Sequence, residues 1–286
     1  MISVITPTYN GERFIEYCIR NVIEQRCPNL EHVIVDGGST DNTVDIIKRY
    51  ASVYPHIRWV SEKDSGQSDA MNKGVAMARG DVLGFLNVDD YYNPGVLNCV
   101  AELFPTLSEP HLLVGNCRVF DDNDDLLFVN KPAKLSLLRL LMASNVNPLP
   151  VNPSAYFYHA SLHQKIGLYS TSEHYVLDFD FLLRAVQMAA VTYINQDWGN
   201  MRLIRGTKTH TDMQNGTSGP RVEKLLTDYR NRLPLRQRLT VNLGHELYTN
   251  QAVRWRILRI ACFVEGFDLQ LFLKRKFSLL FRRGTS

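Results

Sequence analysis

Through the first hundred residues, short apolar runs alternate with stretches in which apolar residues recur every three or four positions, the pattern of strands separated by amphipathic helices. The runs place strands at residues 3–6, 32–35, 58–61 and 82–86. Between the first two, residues 12–25 carry Phe14, Ile15, Cys18, Ile19, Val22 and Ile23 on one helical face. Asp41 is placed to cap a second helix ahead of Val44, Ile46 and Ile47, because its short carboxylate can accept from the free amides of a first turn. A third helix spans residues 67–78, and Gly80 is expected to close it. Strand–helix repetition of this kind builds a parallel sheet covered on both faces.

Past Pro105 the pattern loosens. Residues 112–120 and 126–129 read as strands joined by the turn Asp121-Asp122-Asn123-Asp124-Asp125, whose acids are expected to be solvated rather than to hold a metal. Residues 135–142 form an amphipathic helix, 145–153 a proline-rich loop, 155–159 a strand and 178–188 a helix. The Thr-, Gly- and Asn-rich stretch 206–220 reads as a loop, either a mobile flap or a boundary. The expected organisation is an α/β domain in two halves, residues 1–105 and 106–215, followed by a basic helical region at 216–286.

A hydrophobic content of 45% and a charged content of 21% fit a globular chain and argue against large-scale disorder. The net charge of +3 conceals an asymmetry. Residues 221–286 hold 14 Lys and Arg against 5 Asp and Glu, or +9, leaving −6 for residues 1–220. An acidic front suits a site that holds a cation, and a basic, apolar rear suits an anionic surface. The five cysteines, Cys18, Cys27, Cys99, Cys117 and Cys262, lack zinc-site spacing and read as reduced thiols of a cytoplasmic protein. The N-terminus reads as a strand rather than a signal peptide, and no apolar run is long enough to span a bilayer.

Candidate chemistry gathers where the predicted strands end. The run Phe85-Leu86-Asn87-Val88 stops at Asp89-Asp90, and two adjacent acids leaving a buried strand would be relieved by a divalent cation that also binds a diphosphate. A solvated turn is the plainer alternative, since Asn93-Pro94-Gly95 follows. The second strand ends in Val35-Asp36-Gly37-Gly38-Ser39-Thr40-Asp41, where an acid, two glycines and a capped helix start suit a nucleotide, or where Asp36 simply caps its own loop. Neither GxGxxG nor GxxxxGK[ST] is present.

Taken in order, Thr6-Pro7-Thr8-Tyr9-Asn10, the Asp36 segment, Lys63-Asp64-Ser65-Gly66-Gln67-Ser68-Asp69-Ala70-Met71-Asn72-Lys73-Gly74, Ala78-Arg79-Gly80-Asp81 and the Asp89 segment resemble the family 2 glycosyltransferases of GT-A fold. The resemblance is close over residues 1 to about 100 and looser to about 212, and it implies a doubly wound, mainly parallel mixed sheet. It also implies an inverting transfer of sugar from a nucleoside diphosphate donor to an acceptor hydroxyl. By the same resemblance, Asp36 contacts the base or ribose, Pro7 and Tyr9 line the nucleoside pocket, and Asp64 and Asn72 close it. The family's DxD motif falls on Asn87-Val88-Asp89, with Asp89 on Mg or Mn and Asp90 beside it. Asn87 departs from that pattern, since an amide accepts a hydrogen bond but adds no charge.

Leu177-Asp178-Phe179-Asp180 resembles the family's later motif, which makes Asp178 the general base, with Asp180 as the fallback on another helix face. His210 falls where such enzymes carry a His near the pyrophosphate or metal, and Arg202 and Arg205 could neutralise diphosphate charge. The acceptor implied is a saccharide or a lipid-linked saccharide in cell-surface polysaccharide or glycolipid assembly. Residues 253–283 interleave aromatics and leucines with Arg and Lys, which suits the cytosolic face of an anionic membrane better than a nucleic acid. Packing of these residues on the catalytic domain or on a second subunit is the alternative. Two further readings stay open: a sugar nucleotidyltransferase, and a non-catalytic nucleotide-binding subunit.

Overall fold

The computed structural model describes residues 1–142, 149–171, 176–216 and 218–249. Its strands are β1 (Ile2–Thr8), β2 (Leu30–Asp36), β3 (Ile57–Ser61), β4 (Val82–Phe85), β5 (Tyr91–Tyr92), β6 (His111–Phe120), β7 (Leu126–Asn130), β8 (Tyr156–His159) and β9 (Ala190–Arg202). The helices are α1 (Ile15–Glu24), α2 (Thr43–Ala51), α3 (Gln67–Met77), α4 (Val96–Leu103), α5 (Leu137–Met142), α6 (Leu162–Ile166), α7 (Leu177–Met188), α8 (Lys208–Asn215), α9 (Ser218–Arg232) and α10 (Leu235–Thr249). Every residue of β1, and all of β2 after Leu30, is buried, so apolar residues fall on both faces of each strand and Ser3, Thr6, Glu31 and His32 are enclosed beside them.

All nine strands join one sheet in the order β3-β2-β1-β4-β8-β6-β9-β5, with β7 paired to β6 as a hairpin. β1 to β4 are mutually parallel. β8 runs against both β4 and β6, so β6 points the same way as β4, and β9 is parallel to β6. Six of the nine strands therefore share one direction, opposed by β5, β7 and β8. From β1 the chain winds outward to β2 and β3 on one side and later returns to β4 on the other. In open α/β sheets such a reversal leaves a crevice at the carboxyl ends of the strands.

One face of the sheet packs Ile5, Val35, Leu83 and Phe85 against α3 and the Phe181 face of α7. The other packs Val4, Leu113 and Trp198 against Cys18 and Val22 of α1 and Leu97 of α4. A separate cluster of Leu140, Leu183, Leu226 and Val241 fastens α9 and α10 to α5 and α7, so the C-terminal helices attach to the element that carries Asp178.

Several local expectations change. Asp41 stands one residue before the cap position and still holds the helix start, accepting from the Thr43 amide at 3.0 Å. Gly80 does not close α3 in the left-handed region. It is needed where a Cβ would come within 2.7 Å of the Met1 carbonyl and 2.6 Å of Ser3 Oγ. Stretch 206–220 is largely helical, because Thr207 caps α8 with its side chain and Gly216, at φ +62, ends it. The free cysteines among the described residues are Cys18, Cys27, Cys99 and Cys117, whereas Cys262 and the basic segment 253–283 lie outside the described residues. Among the described residues, no helix is long and apolar enough to cross a membrane.

Candidate active site

β1 and β2 end side by side, Thr8 opposite Asp36, and the loops that leave them are tied together by side chains. Asn10, held at φ 49, accepts from the Thr40 amide at 2.9 Å, and its own amide donates to Ser39 Oγ at 2.7 Å. The Gly11 amide donates to Thr43 Oγ1 at 2.8 Å, the Glu12 amide to Asp41 Oδ2 at 3.1 Å, and the Asn42 amide to Glu12 Oε2 at 3.0 Å. Asp36 is fully buried and accepts from the amides of Gly38 and Ser39, at 3.1 and 2.9 Å, and from the hydroxyls of Ser39 and Ser61. Its carboxylate thus organises the loop from beneath and does not line the cleft above, in line with the loop-capping alternative. The two glycines make this possible: Gly38 sits at φ +85, and a Cβ on Gly37 would stand 2.6 Å from the Asp64 carboxylate.

Above these loops lies a cleft of about 610 Å³, a size suited to a nucleotide. Pro7, Tyr9, Asp64, Asn87 and Asp89 all line it, joined by Arg13 and Gln67 and by residues 204–209 of the segment that leads from β9 into α8. Tyr9 is 63% exposed, an aromatic face left bare where a base could stack. Arg13 and the 204–209 wall lie nearly two hundred residues apart in sequence; of these residues only Arg205 is marked by the sequence for this side of the site.

Of the acid pair after β4, only Asp89 lines the cleft. Asp90 is buried, accepting from Asn152 Nδ2 at 2.6 Å, from Asn87 Nδ2 at 2.9 Å and from the Arg202 amide at 3.2 Å. The oxygens of Asp90, expected beside the cation, are committed to the interior in this structure. Burial first, and the neighbouring Asp89 charge second, raise its pKa, and burial raises that of Asp89 as well. Asn87 can donate to Asp90 while accepting from Gln67 Nε2 at 3.3 Å, which a carboxylate cannot do. That accounts for the amide where the family pattern has an acid.

The donor set fits a hard divalent cation. Asp89 presents a partly desolvated carboxylate to the cleft, and Mg²⁺ or Mn²⁺ commonly binds through one or two carboxylates completed by water and phosphate oxygens. Among the described residues, no three His, Cys, Asp or Glu side chains gather into a site of their own, so a cation here would depend on oxygens from the ligand. His210 is the third residue of α8 and half-buried; its neighbours Thr207, Lys208 and Thr209 line the cleft, and it does not. Arg202 and Arg205 pair with Asp124 and Asp122 of the β6–β7 turn, at 3.0 and 3.7 Å, so the acidic turn clamps the arginines that lead into α8.

On the far side, Lys208 Nζ donates to Gln67 Oε1 at 3.1 Å, extending a side-chain path from α8 through Gln67 and Asn87 to Asp90. Its charge also reaches Asp178, the second residue of α7. Asp178 is half-buried, and its Oδ1 is buried without a hydrogen-bond partner among the described residues. Burial pushes this carboxyl up to about 6, opposed by the Lys208 charge and the nearby Tyr156 hydroxyl. The ordinary Asp value is near ~4, and burial of the side chain is what raises it here. Asp180, the fallback, is spent on Arg184 at 2.8 Å and on the Tyr229 hydroxyl at 3.1 Å.

Asn72 does not close the cleft. Its amide bridges the backbone of buried Tyr169, donating to the carbonyl and accepting from the N–H, both at 2.9 Å. Asn72→Ala is therefore expected to cost about 2 kcal/mol by leaving two buried backbone groups unpaired. Urea melts should show that loss, with nucleotide affinity of the folded protein unchanged.

The family model for glycosyl transferase family 2 matches residues 3–161. A PGL/p-HBAD biosynthesis glycosyltransferase of Mycobacterium bovis (strain BCG / Pasteur 1173P2) is 30% identical over 248 residues, covering 85% of this chain and 88% of the relative. The uncharacterized glycosyltransferase YibD of Escherichia coli K12 is 37% identical over 108 residues, or 38% of this chain and 28% of its own length. A match to a Nostoc protein, the uncharacterized glycosyltransferase alr2836, likewise spans only 38% of that relative. Among solved structures, S. aureus TarS 1-349 in complex with UDP-GlcNAc superposes with a TM-score of 0.66 at 19% identity, covering 94% of this chain and 76% of that one. The mannosyltransferase PcManGT from Pyrobaculum calidifontis, in complex with GDP-Man and Mn2+, gives 0.60 at 19% identity, covering 97% and 79%. With more than half its length matched by the family model and a relative aligned nearly end to end, the chain belongs to glycosyl transferase family 2.

Proposed function

We propose that this protein is an inverting glycosyltransferase that moves a sugar from a nucleoside diphosphate sugar to the hydroxyl of a saccharide or lipid-linked saccharide. The observation that carries the reading is one cleft with Tyr9, Asp64 and Asp89 on its strand-end side and Lys208 on the other, the Lys208 charge reaching the unpartnered Oδ1 of Asp178. Pro7 and Tyr9 take the base, and Asp64 takes a ribose or base donor. Asp89 would hold Mg or Mn, which when bound screens the charge that develops on the departing diphosphate. Lys208 and Arg205 bring positive charge to the same side of the cleft.

Asp178 accepts the proton of the acceptor hydroxyl as that oxygen attacks the anomeric carbon. The bond from the carbon to the diphosphate oxygen breaks on the opposite face, its electron pair leaving with the diphosphate, so a single displacement inverts the centre. UDP is the leading donor nucleotide, and GDP is the next, in keeping with the UDP-GlcNAc and GDP-Man bound by the structural neighbours. Cell-surface polysaccharide or glycolipid assembly is the setting in which such a transfer is used.

Incubation with UDP- and GDP-sugars and Mn²⁺, with and without acceptor, tests the reading by release of nucleoside diphosphate. Release of pyrophosphate would instead identify a nucleotidyltransferase, the second reading, kept because the first loop does bring a base, Arg13, into the cleft. Nucleotide binding without any product would mark a non-catalytic subunit.

The raised pKa of Asp178 sets a pH dependence. Below about 6 the carboxyl holds a proton and cannot accept another, so kcat/KM should climb about tenfold per pH unit toward that value and level off above it. Since the Lys208 charge lowers the Asp178 pKa, Lys208→Met should move this limb to higher pH. An acidic limb that persists unchanged in Asp178→Asn would remove Asp178 from the role.

A further inference from the structure

Leu235, Leu239 and Leu243 follow one another at four-residue spacing along α10 and so lie on one side of it. They are 62, 60 and 56% exposed. Loose docking does not explain this, because the opposite side is fully engaged. Val241 is buried in the cluster with Leu140 and Leu226, a Cβ on Gly244 would stand 2.9 Å from Met142, and His245 Nδ1 lies 2.8 Å from the Met142 carbonyl. A surface helix ordinarily turns polar residues to water, so three successive outward leucines mark a face that meets something apolar.

The charges around the stripe say what that partner is. Arg236 and Arg238 flank it, and neither forms an ion pair with any described residue. The one acid of α10, Glu246, comes after Leu243. A second copy seated on this face would bring the same arginines together across a two-fold axis. Residues 250–286 hold 8 Lys and Arg against 2 Asp and Glu and so supply no net counter-charge. An anionic lipid surface supplies both the apolar layer and the counter-charge.

We propose that the outer face of α10 docks on an anionic lipid bilayer, with Leu235, Leu239 and Leu243 entering the boundary between headgroups and acyl chains and Arg236 and Arg238 meeting lipid phosphates. This surface is distinct from the cleft and requires neither donor nor acceptor.

Flotation of the full chain with phosphatidylcholine vesicles, with and without phosphatidylglycerol, at low and high salt, tests it. The unaltered protein should float with the phosphatidylglycerol vesicles at low salt and release at high salt. Combined Leu235→Ser, Leu239→Ser and Leu243→Ser should weaken partitioning at least about tenfold, and so should Arg236→Glu with Arg238→Glu, which covers the case in which the leucine variant does not fold. Unchanged thermal melting shows that each variant is folded. The proposal is overturned if the variants float like the unaltered protein, or if the unaltered protein ignores phosphatidylglycerol at every salt. It is equally overturned if the lipid-free protein is a dimer that the leucine variant makes monomeric, since a second copy is then the occupant.

Discussion

Asp178→Asn should lower sugar transfer by roughly 10²-fold or more while leaving donor affinity within about twofold. Asn keeps the size and the hydrogen-bonding reach of the side chain but cannot take a proton. The carboxylate it replaces lies outside the set of residues lining the nucleotide-sized cleft, and among the described residues its buried Oδ1 has no hydrogen-bond partner within bonding geometry. Single-turnover rates with saturating donor, set beside nucleotide affinity measured by calorimetry, separate the two effects. A variant that loses donor affinity but turns over bound donor at the normal rate would show that another group is the base.

Asp89→Ala should weaken Mn²⁺-dependent binding of nucleoside diphosphate at least about tenfold without unfolding the protein, because Asp89 is the acid of the β4 run that faces the cleft. Thermal shift reads this directly. A ligand that binds only the folded state raises the melting temperature by mass action, so the unaltered protein should gain stability from UDP or GDP with Mn²⁺ that the variant does not gain. Full activity of the unaltered protein in excess EDTA would show that no cation is needed.

The first half of the fold is legible in the sequence for a physical reason. β1, β2 and β4 are buried on both faces, so adjacent apolar residues such as Val4-Ile5, Val33-Ile34-Val35 and Val82-Leu83 mark them, and they stop at the loops that form the cleft. β9 escapes notice although it is the longest strand, because Asn195, Gln196 and Asp197 at its centre are exposed and its pairing with β6 is broken by irregularities there. The two-residue β5 carries no periodicity at all.

Within the site, residue identity is legible but direction is not. Pro7, Tyr9, Asp64, Asn87 and Asp89 line the cleft as the motif order implies. Asp36, Asn72 and Asp90 turn away: Asp36 is held mostly by its own loop at Gly38 and Ser39, while Asn72 is held by Tyr169, 97 residues on, and Asp90 in part by Asn152, 62 residues on. For Asn72 and Asp90, tertiary pairing decides whether the polar side chain faces the cleft or the protein interior.

The lacing of the β1 and β2 loops bears on the thermodynamics of binding. Side chains of Asn10, Glu12, Ser39, Asp41 and Thr43 fix that wall when the chain folds, so its conformational entropy is lost before any ligand arrives. On the proposed reading, a free nucleoside meets a preformed surface and should bind with a small entropic penalty. Adding the diphosphate transfers the cost to the opposite wall, where the Lys208 ammonium must leave Gln67 for the phosphates. Calorimetry of the nucleoside against its diphosphate should then show a difference in enthalpy that Lys208→Met diminishes.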